Sequence, residues 1–330
     1  MALIATLPYP WLRERVAQLA QAELSRGEVE LIDWSLRGEA PERADLDLVV
    51  LPFHSLSDEV PAPYASVTAI GASIEAAHGI GVLQTVSIGY EGIAKLVPPG
   101  TVLCNAAGVM ETQTAELAVA LLLALQRDLP FFARARTWQN HRTPGLAGKR
   151  VVLLGHGGIG AAVHRLLAAF DADVAPVVQT ARITPDGTVL HAVAELADLL
   201  PTADALVVTL PLTERTAGLV DAGLLAALPD GAGVVNVGRG AVVDTDALTT
   251  EVMSGRLRAG LDVTDPEPLP DDHPLWSAPA ALITPHVGGN TDLMAENIAR
   301  LVFDQLRRLL AGDEPRNVVS APTTRTGGAP

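Results

Sequence analysis

Cysteine is nearly absent: Cys104 is the only one in 330 residues. A single thiol excludes an internal disulfide framework and a cysteine-based zinc site, and it fits a reducing, cytoplasmic setting. Positive charge is also scarce. The 23 Lys and Arg residues stand against 38 Asp and Glu, a formal net charge of −15 at pH 7. No basic stripe of the kind that holds nucleic acid is visible. No apolar run reaches membrane-spanning length; the longest, LAVALLLAL from Leu117 to Leu125, is soon followed by Arg127 and Asp128. The opening MALIATLPYP lacks a basic stretch and its apolar run stops at Pro8, so it reads as a first strand and not as a leader. There is no internal repeat.

What is present is apolar sequence, enough for a large core. Hydrophobic residues make up 48% and charged residues 18%, and the mean hydropathy is +0.29. The apolar residues are patterned. ALIATL, EVELIDW, LDLVVLP, GVLQTVS and TVLC read as strands, with helical spacing in WLRERVAQLAQAEL. A long apolar helix, ETQTAELAVALLLALQRDL, follows. After PGLAGKR the alternation restarts with VVLL, DVAPVV, ALVVTL, GVVNV, AGLDV and ALIT, and a last helix covers roughly NTDLMAENIARLVFDQLRRLL. Strands alternating with helices predict an α/β fold with parallel sheets covered on both faces. The expectation is two Rossmann-like domains. A dinucleotide-binding domain, residues 105–286, is inserted into a discontinuous substrate domain, residues 1–104 and 287–330. The tail SAPTTRTGGAP has the composition of a disordered end.

The strand VVLL runs directly into GHGGIG, residues 155–160. A turn from strand to helix needs a first glycine, Gly155, where positive φ is required. A second, Gly157, lets a pyrophosphate approach the backbone, and a third, Gly160, lets the helix lie close on the strand. Ile159, Val163, Leu166, Leu167 and Phe170 fall on one face of that helix, whose N-terminus offers N–H groups and a positive dipole end to phosphate. An acid about 20 residues further on would hold the ribose hydroxyls of NAD. Here stand Val178, Gln179, Thr180 and Arg182, with Asp173 ahead of the strand. Without a carboxylate to repel a 2′-phosphate, and with Arg182 able to pair with one, the loop favours NADP over NAD.

Three later segments each end a strand with polar residues: GVVNVGRG with Arg239, AGLDVTDPEP with Asp262 and Glu267, and ALITPHVGG with His286. In an open parallel sheet, ligands bind beyond the carboxyl ends of the strands. Reduction of a 2-oxo acid needs a hydride donor, a cation near carboxylate and carbonyl, and a proton for the new alkoxide. Arg239 suits the cation, His286 the acid/base, and Glu267 can orient the imidazole. Asp262 can accept a hydrogen bond from a nicotinamide amide.

The motifs TAELAVALLLALQR, GHGGIG, LPLTERTAGLV, NVGRGAVVDTDAL, LDVTDPEPLPDDHPLW and TPHVGG together resemble the D-isomer-specific 2-hydroxyacid dehydrogenase family. The resemblance implies that Arg239 binds substrate, that Glu267 and His286 form the acid/base pair, and that Asp262 contacts the nicotinamide. It implies that the backbone around Ser87, Ile88 and Gly89 receives the substrate carboxylate. Family members are usually homodimers joined through the nucleotide domain, here the long helix after Glu111 and the segment to about Arg142. The candidate dinucleotide contacts are Gly155, Gly157, Gly158, Ile159, Gly160, Thr180, Arg182, Leu210, Pro211, Thr216, Asp262, His286 and Gly288. The partners expected are a small 2-oxo or 2-hydroxy acid and a second copy of the chain, with no metal, nucleic acid or membrane.

The sequence departs from the pattern in places. Glu91 stands where the family more often has Asp, and Thr264 where a large aromatic is common. Ile88 replaces the lysine of phosphite dehydrogenases, and Glu267 the glutamine of formate dehydrogenases. Both special cases are disfavoured, and a glyoxylate/hydroxypyruvate reductase-like activity is the main expectation. A dinucleotide-sensing scaffold with little turnover is the alternative, because fold alone does not fix function. Trp138 and Trp276 are open between packing and lining a pocket.

Overall fold

The structure, a computed structural model, describes residues 2–36, 40–41, 45–52, 67–77, 79–90 and 92–320. Glu91 and the tail beyond Ser320 lie outside the described residues. The chain divides into two compact units, Met1–Met110 with Asp292–Pro330, and Glu111–Thr291.

The first unit opens with β1 (Leu3–Leu7), α1 (Pro10–Leu19), α2 (Gln21–Ser25), β2 (Val29–Asp33), β3 (Leu46–Val50), α3 (Val67–Ala76), β4 (Ile80–Gln84) and β5 (Val102–Cys104). The stretch with continuous helical spacing is thus two helices, parted at Ala20, whose ψ of 20° leaves the helical range. The second unit follows with α4 (Glu111–Gln126), α5 (Leu129–Arg134), β6 (Arg150–Leu154), α6 (Gly158–Ala168), β7 (Asp173–Val178), β8 (Arg182–Ile183) and β9 (Val189–Ala192). It continues through α7 (Leu196–Leu199), β10 (Ala205–Val208), α8 (Ala222–Ala227), β11 (Gly233–Asn236), α9 (Thr245–Met253), β12 (Arg258–Leu261) and β13 (Ala281–Ile283). The chain then returns to the first unit with α10 (Met294–Ala311) and β14 (Val318–Ser320).

The first unit holds a six-stranded sheet ordered β14-β5-β4-β3-β1-β2. Its first five strands in sequence are parallel and follow the 2-1-3-4-5 order of flavodoxin-like sheets. Only β14 runs antiparallel, beside β5. The second unit holds an eight-stranded sheet ordered β13-β12-β11-β10-β6-β7-β9-β8. All its pairs are parallel except the hairpin β8–β9. The order reverses between β6 and β10, which defines a crevice beyond their carboxyl ends.

Continuous burial explains the apolar runs. Val151, Val152, Leu153 and Leu154 are at most 1% exposed, and β10 and β11 are equally closed. Each such Val or Leu contributes about 1.5–3 kcal/mol relative to exposure. α4 packs on α6, β11 and β12. The glycines Gly233 and Gly260 on those strands leave room for Leu121, Leu122 and Leu125. On α6, Ala162, Val163 and Leu167 are buried, with Ile159 and Leu166 packed at the edge. Phe170 falls beyond the helix end and is 40% exposed, so it is not part of the apolar face that the spacing suggested. Among the described residues, no helix is long and apolar enough to cross a membrane.

Candidate active site

The loop from β6 to α6 assigns each glycine a different physical job. Gly155 has φ +106, and a Cβ there would stand 2.7 Å from Thr209 Oγ1. At Gly160 a Cβ would collide with the carbonyl oxygen of Gly155, so the first helical turn can close on the strand only without one. Gly157, the N-cap of α6, has nothing within 4 Å of a Cβ position. Its lack of a side chain therefore serves no contact within the chain; it keeps the approach to the helix N-terminus clear. No side chain caps that terminus, and its N–H groups and dipole suit an anion. The residues thus fit a dinucleotide pyrophosphate. Thr209 braces the loop, its hydroxyl donating to the carbonyls of Leu154 and Gly155 at 3.3 and 3.2 Å.

Beyond β10, Leu210 is half-buried and Pro211 exposed. Thr216 closes that turn by donating to the Pro211 carbonyl at 2.7 Å and accepting the Thr213 N–H at 2.8 Å. Thr180, past the end of β7, is exposed. Arg182 is exposed on β8, a hairpin strand and not an irregular loop. The turn of that hairpin, Thr184-Pro185-Asp186-Gly187, has Gly187 at φ +88.

Beyond β11, Arg239 is wedged between two glycines that cannot be anything else. A Cβ at Gly238 would stand 2.5 Å from the Leu210 carbonyl oxygen, and one at Gly240 would collide with the Thr264 carbonyl. Asn236, the last residue of β11, locks the turn: its Oδ1 accepts the Gly238 N–H and its Nδ2 donates to the Arg239 carbonyl, both at 3.0 Å. The Arg239 guanidinium donates to the Gly238 carbonyl at 2.7 Å and is half-buried.

Beyond β12 and β13 lies the carboxylate–imidazole pair. His286 Nδ1 donates to Glu267 Oε1 at 2.7 Å, with side-chain exposures of 35% and 29%. His286 has φ 53, a left-handed conformation that costs a residue other than glycine about 1–2 kcal/mol. Asp262, 2% exposed at the end of β12, holds that conformation in place. One carboxylate oxygen accepts the Thr284 hydroxyl at 2.6 Å and the Val287 N–H at 2.9 Å; the other accepts the Gly288 N–H at 2.9 Å. The Asp262 carbonyl also accepts the His286 N–H at 2.9 Å. Three bonds leave about one lone-pair site on this carboxylate. Gly288 must lack a side chain because a Cβ would meet Asp262 at 2.9 Å and Thr114 at 3.1 Å.

In the first unit, Ser87, Ile88 and Gly89 follow β4, and each of their carbonyls accepts a hydrogen bond. The Ser87 carbonyl accepts from Ala106 N and Thr85 Oγ1, that of Ile88 from Asn105 Nδ2, and that of Gly89 from Ser87 Oγ. Trp276 is 47% exposed and donates to the Pro270 carbonyl at 2.9 Å. Trp138 is fully exposed.

Sequence reasoning placed Arg239, Glu267 and His286 beyond successive strands of one sheet. It missed the residues that position them: Asn236, Thr284 and Thr209 in the second unit, and Asn105 in the first. Asn236 and Thr284 carried a signal, each being a polar residue at the end of an otherwise apolar strand.

A glycine-loop sheet with an arginine turn and a carboxylate-braced imidazole at the same edge defines a dinucleotide-dependent oxidoreductase. The profile of the D-isomer specific 2-hydroxyacid dehydrogenase NAD binding domain matches residues 119–288. A glyoxylate/hydroxypyruvate reductase B of Pectobacterium carotovorum is 34% identical over 257 residues, 72% of this chain and 78% of that protein. A D-3-phosphoglycerate dehydrogenase of Mycobacterium tuberculosis H37Rv is 38% identical over 223 residues; the match takes in 65% of this chain and 42% of that longer protein. A crystal structure of a D-isomer specific 2-hydroxyacid dehydrogenase from Xanthobacter autotrophicus Py2, in complex with NADPH and MES, aligns with a TM-score of 0.77 at 25% identity. That alignment covers 97% of this chain and 98% of that one. The chain belongs to the D-isomer specific 2-hydroxyacid dehydrogenase family.

Proposed function

We propose that the protein reduces a small 2-oxo acid to the D-2-hydroxy acid with NAD(P)H, in the manner of a glyoxylate or hydroxypyruvate reductase. The observation that carries this reading is the 2.7 Å bond between His286 and Glu267, beyond the ends of the strands that also present Arg239 and the glycine loop. When bound, the dinucleotide supplies the hydride. The chain supplies the rest. Glu267 engages Nδ1 of His286, which fixes the ring and leaves Nε2 to deliver a proton to the oxygen of the reduced carbonyl. The Arg239 guanidinium favours the developing alkoxide and the carboxylate. The N–H groups of Ser87, Ile88 and Gly89 take the substrate carboxylate, a role supported by carbonyls that are all engaged within the first unit. The last lone pair of Asp262 faces the task of accepting the nicotinamide amide. The printed name of the Pectobacterium relative supports the substrate class, and the NADPH in the Xanthobacter structure supports a place for NADP. Arg182, and the absence of an acid among Val178, Gln179 and Thr180 at the end of β7, favour NADP over NAD.

The protein works as a homodimer through the second unit. Leu129 is 52% exposed, Phe131 38%, and Trp138 fully so, an apolar surface that a second copy would cover. The lone buried Cys104 suits a reducing cytoplasm.

His286→Ala tests the reading. NADPH oxidation with glyoxylate or hydroxypyruvate is expected to fall by about 10²–10⁴-fold, with dinucleotide affinity nearly intact by fluorescence titration. Activity surviving at neutral pH would assign the proton to another group.

A further inference from the structure

The histidines of this chain are not alike. Among the described residues, His141, His191 and His286 each hydrogen-bond a carboxylate, at 2.8, 3.0 and 2.7 Å. His156 and His164 instead bond each other. His156 is the residue between Gly155 and Gly157 in the phosphate loop, and His164 stands on α6. Nε2 of His156 lies 3.1 Å from Nδ1 of His164, with ring centroids 5.3 Å apart and planes at 66°. Both rings are half-buried. One N–H lies between the rings and each neutral imidazole carries one, so a proton beyond those two makes one ring an imidazolium.

The charges around the pair come from the β8–β9 hairpin. The Arg182 guanidinium acts on His156, and the Asp186 carboxylate acts on both rings. Asp186 is already engaged: it accepts the Thr184 hydroxyl and, at 3.4 Å, the Thr188 N–H. Those bonds hold its carboxyl below the usual range, so it stays ionised. Burial, more than neighbouring charge, pushes both imidazoles below their ordinary value. With no anion bound, the cluster is therefore one guanidinium, one carboxylate and two neutral rings. Asp186 already favours the imidazolium on both rings but is outweighed by burial; a second anion arriving beside Arg182 adds to that pull.

We propose that His156 and His164 join Arg182 as a proton-accepting anchor for the 2′-phosphate of the dinucleotide, making the preference for NADP over NAD stronger as pH falls toward neutrality from above. The inference rests on the reading of the second unit as a dinucleotide site. It adds two specificity-determining residues and a direction of proton flow. A dianionic phosphomonoester entering beside Arg182 favours the imidazolium, so one proton enters with it. The phosphate's own second ionisation lies near about 6, and binding to cations drives that proton off. Net uptake on binding therefore belongs to the imidazoles and not to the ligand.

The test is calorimetric titration of the full chain with NADP⁺ and with NAD⁺, at about pH 7, in two buffers of different ionisation enthalpy. Histidine side-chain NMR is recorded on the same samples. Net proton uptake is expected with NADP⁺ and none with NAD⁺, with the His156 and His164 signals moving toward the imidazolium only for NADP⁺. His164→Gln, on α6 outside the loop, is expected to abolish the uptake and weaken NADP⁺ by about tenfold, leaving NAD⁺ affinity and the unfolding midpoint in place; His156→Gln is expected to abolish the uptake as well. Proton release or no exchange with NADP⁺, or His variants that bind it as the native chain does, would overturn the proposal. If Arg182→Ala still weakens NADP⁺ in that case, the cofactor preference stands and only the imidazole role falls. If neither dinucleotide binds, the functional reading falls with it.

Discussion

At the scale of the residue, the site is built from positions where a side chain has no room and positions where it has room but is withheld. Gly240 belongs to the first kind and Gly157 to the second. The same substitution at the two should therefore report differently. Gly240→Ala is expected to cost about 1–3 kcal/mol, because the Thr264 carbonyl must move, and to lower kcat/KM as Arg239 shifts; urea unfolding and steady-state kinetics measure both. Gly157→Ala is expected to change stability by less than about 1 kcal/mol, yet to weaken dinucleotide binding at least tenfold. A Gly157→Ala chain that binds as before would mean the clear space at that position serves something other than pyrophosphate. Arg239, Glu267 and His286 were legible in the sequence because each lies in the segment that follows an apolar strand. The bracing residues were less so, since their partners lie far away in sequence. Asp262 was read as a ligand for nicotinamide, yet most of its hydrogen-bonding capacity is spent on Thr284, Val287 and Gly288, a relation that needs the fold to bring residues 262 and 288 together.

At the scale of the element, helices α1 and α10 are tied by a small ionic cluster. Arg15 donates twice to Glu296, at 2.7 and 3.0 Å, and Arg300 donates to the same carboxylate at 2.7 Å. The Arg15 hydrogen bond, with help from Arg300, pulls the Glu296 carboxyl down to about 2. The depressed value fixes the sign: the cluster stabilises fully above the ordinary carboxylate range and loses its effect as pH falls toward about 2. Arg15→Ala should therefore lower the urea midpoint at neutral pH, and the gap from the native chain should close on acidification through that window. A gap that persists at the acid end would assign the loss to packing of the Arg15 stem. The helices and long strands were readable from period and run length. The hairpin β8–β9 was not, because β8 is two exposed residues with no apolar pattern. Its Pro185-Asp186-Gly187 turn was the available signal. Ala20 interrupts a helix whose spacing gives no warning.

At the scale of the whole molecule, the α/β class and the parallel sheets followed from alternation of elements, but the strand orders did not. No local pattern distinguishes 2-1-3-4-5 in one sheet from a central reversal at β6 and β10 in the other, since each depends on which edge a crossover helix chooses. Assembly is the other property at this scale. Trp138→Asp, placed on the fully exposed arm after α5, is expected to shift sedimentation from dimer toward monomer, with dinucleotide affinity within about twofold of the native value. An unchanged sedimentation profile would overturn the proposed contact through this arm.

The antiparallel pairing of β14 with β5 also bears on how the chain is made. The sheet begun by the first residues gains its last strand from residues 318–320, after the entire second unit has been synthesised. At ribosomal rates of about 5–20 residues per second, that wait is on the order of 10–40 s. The half started earliest is finished last, and its exposed edge must be kept from the wrong neighbours in the meantime.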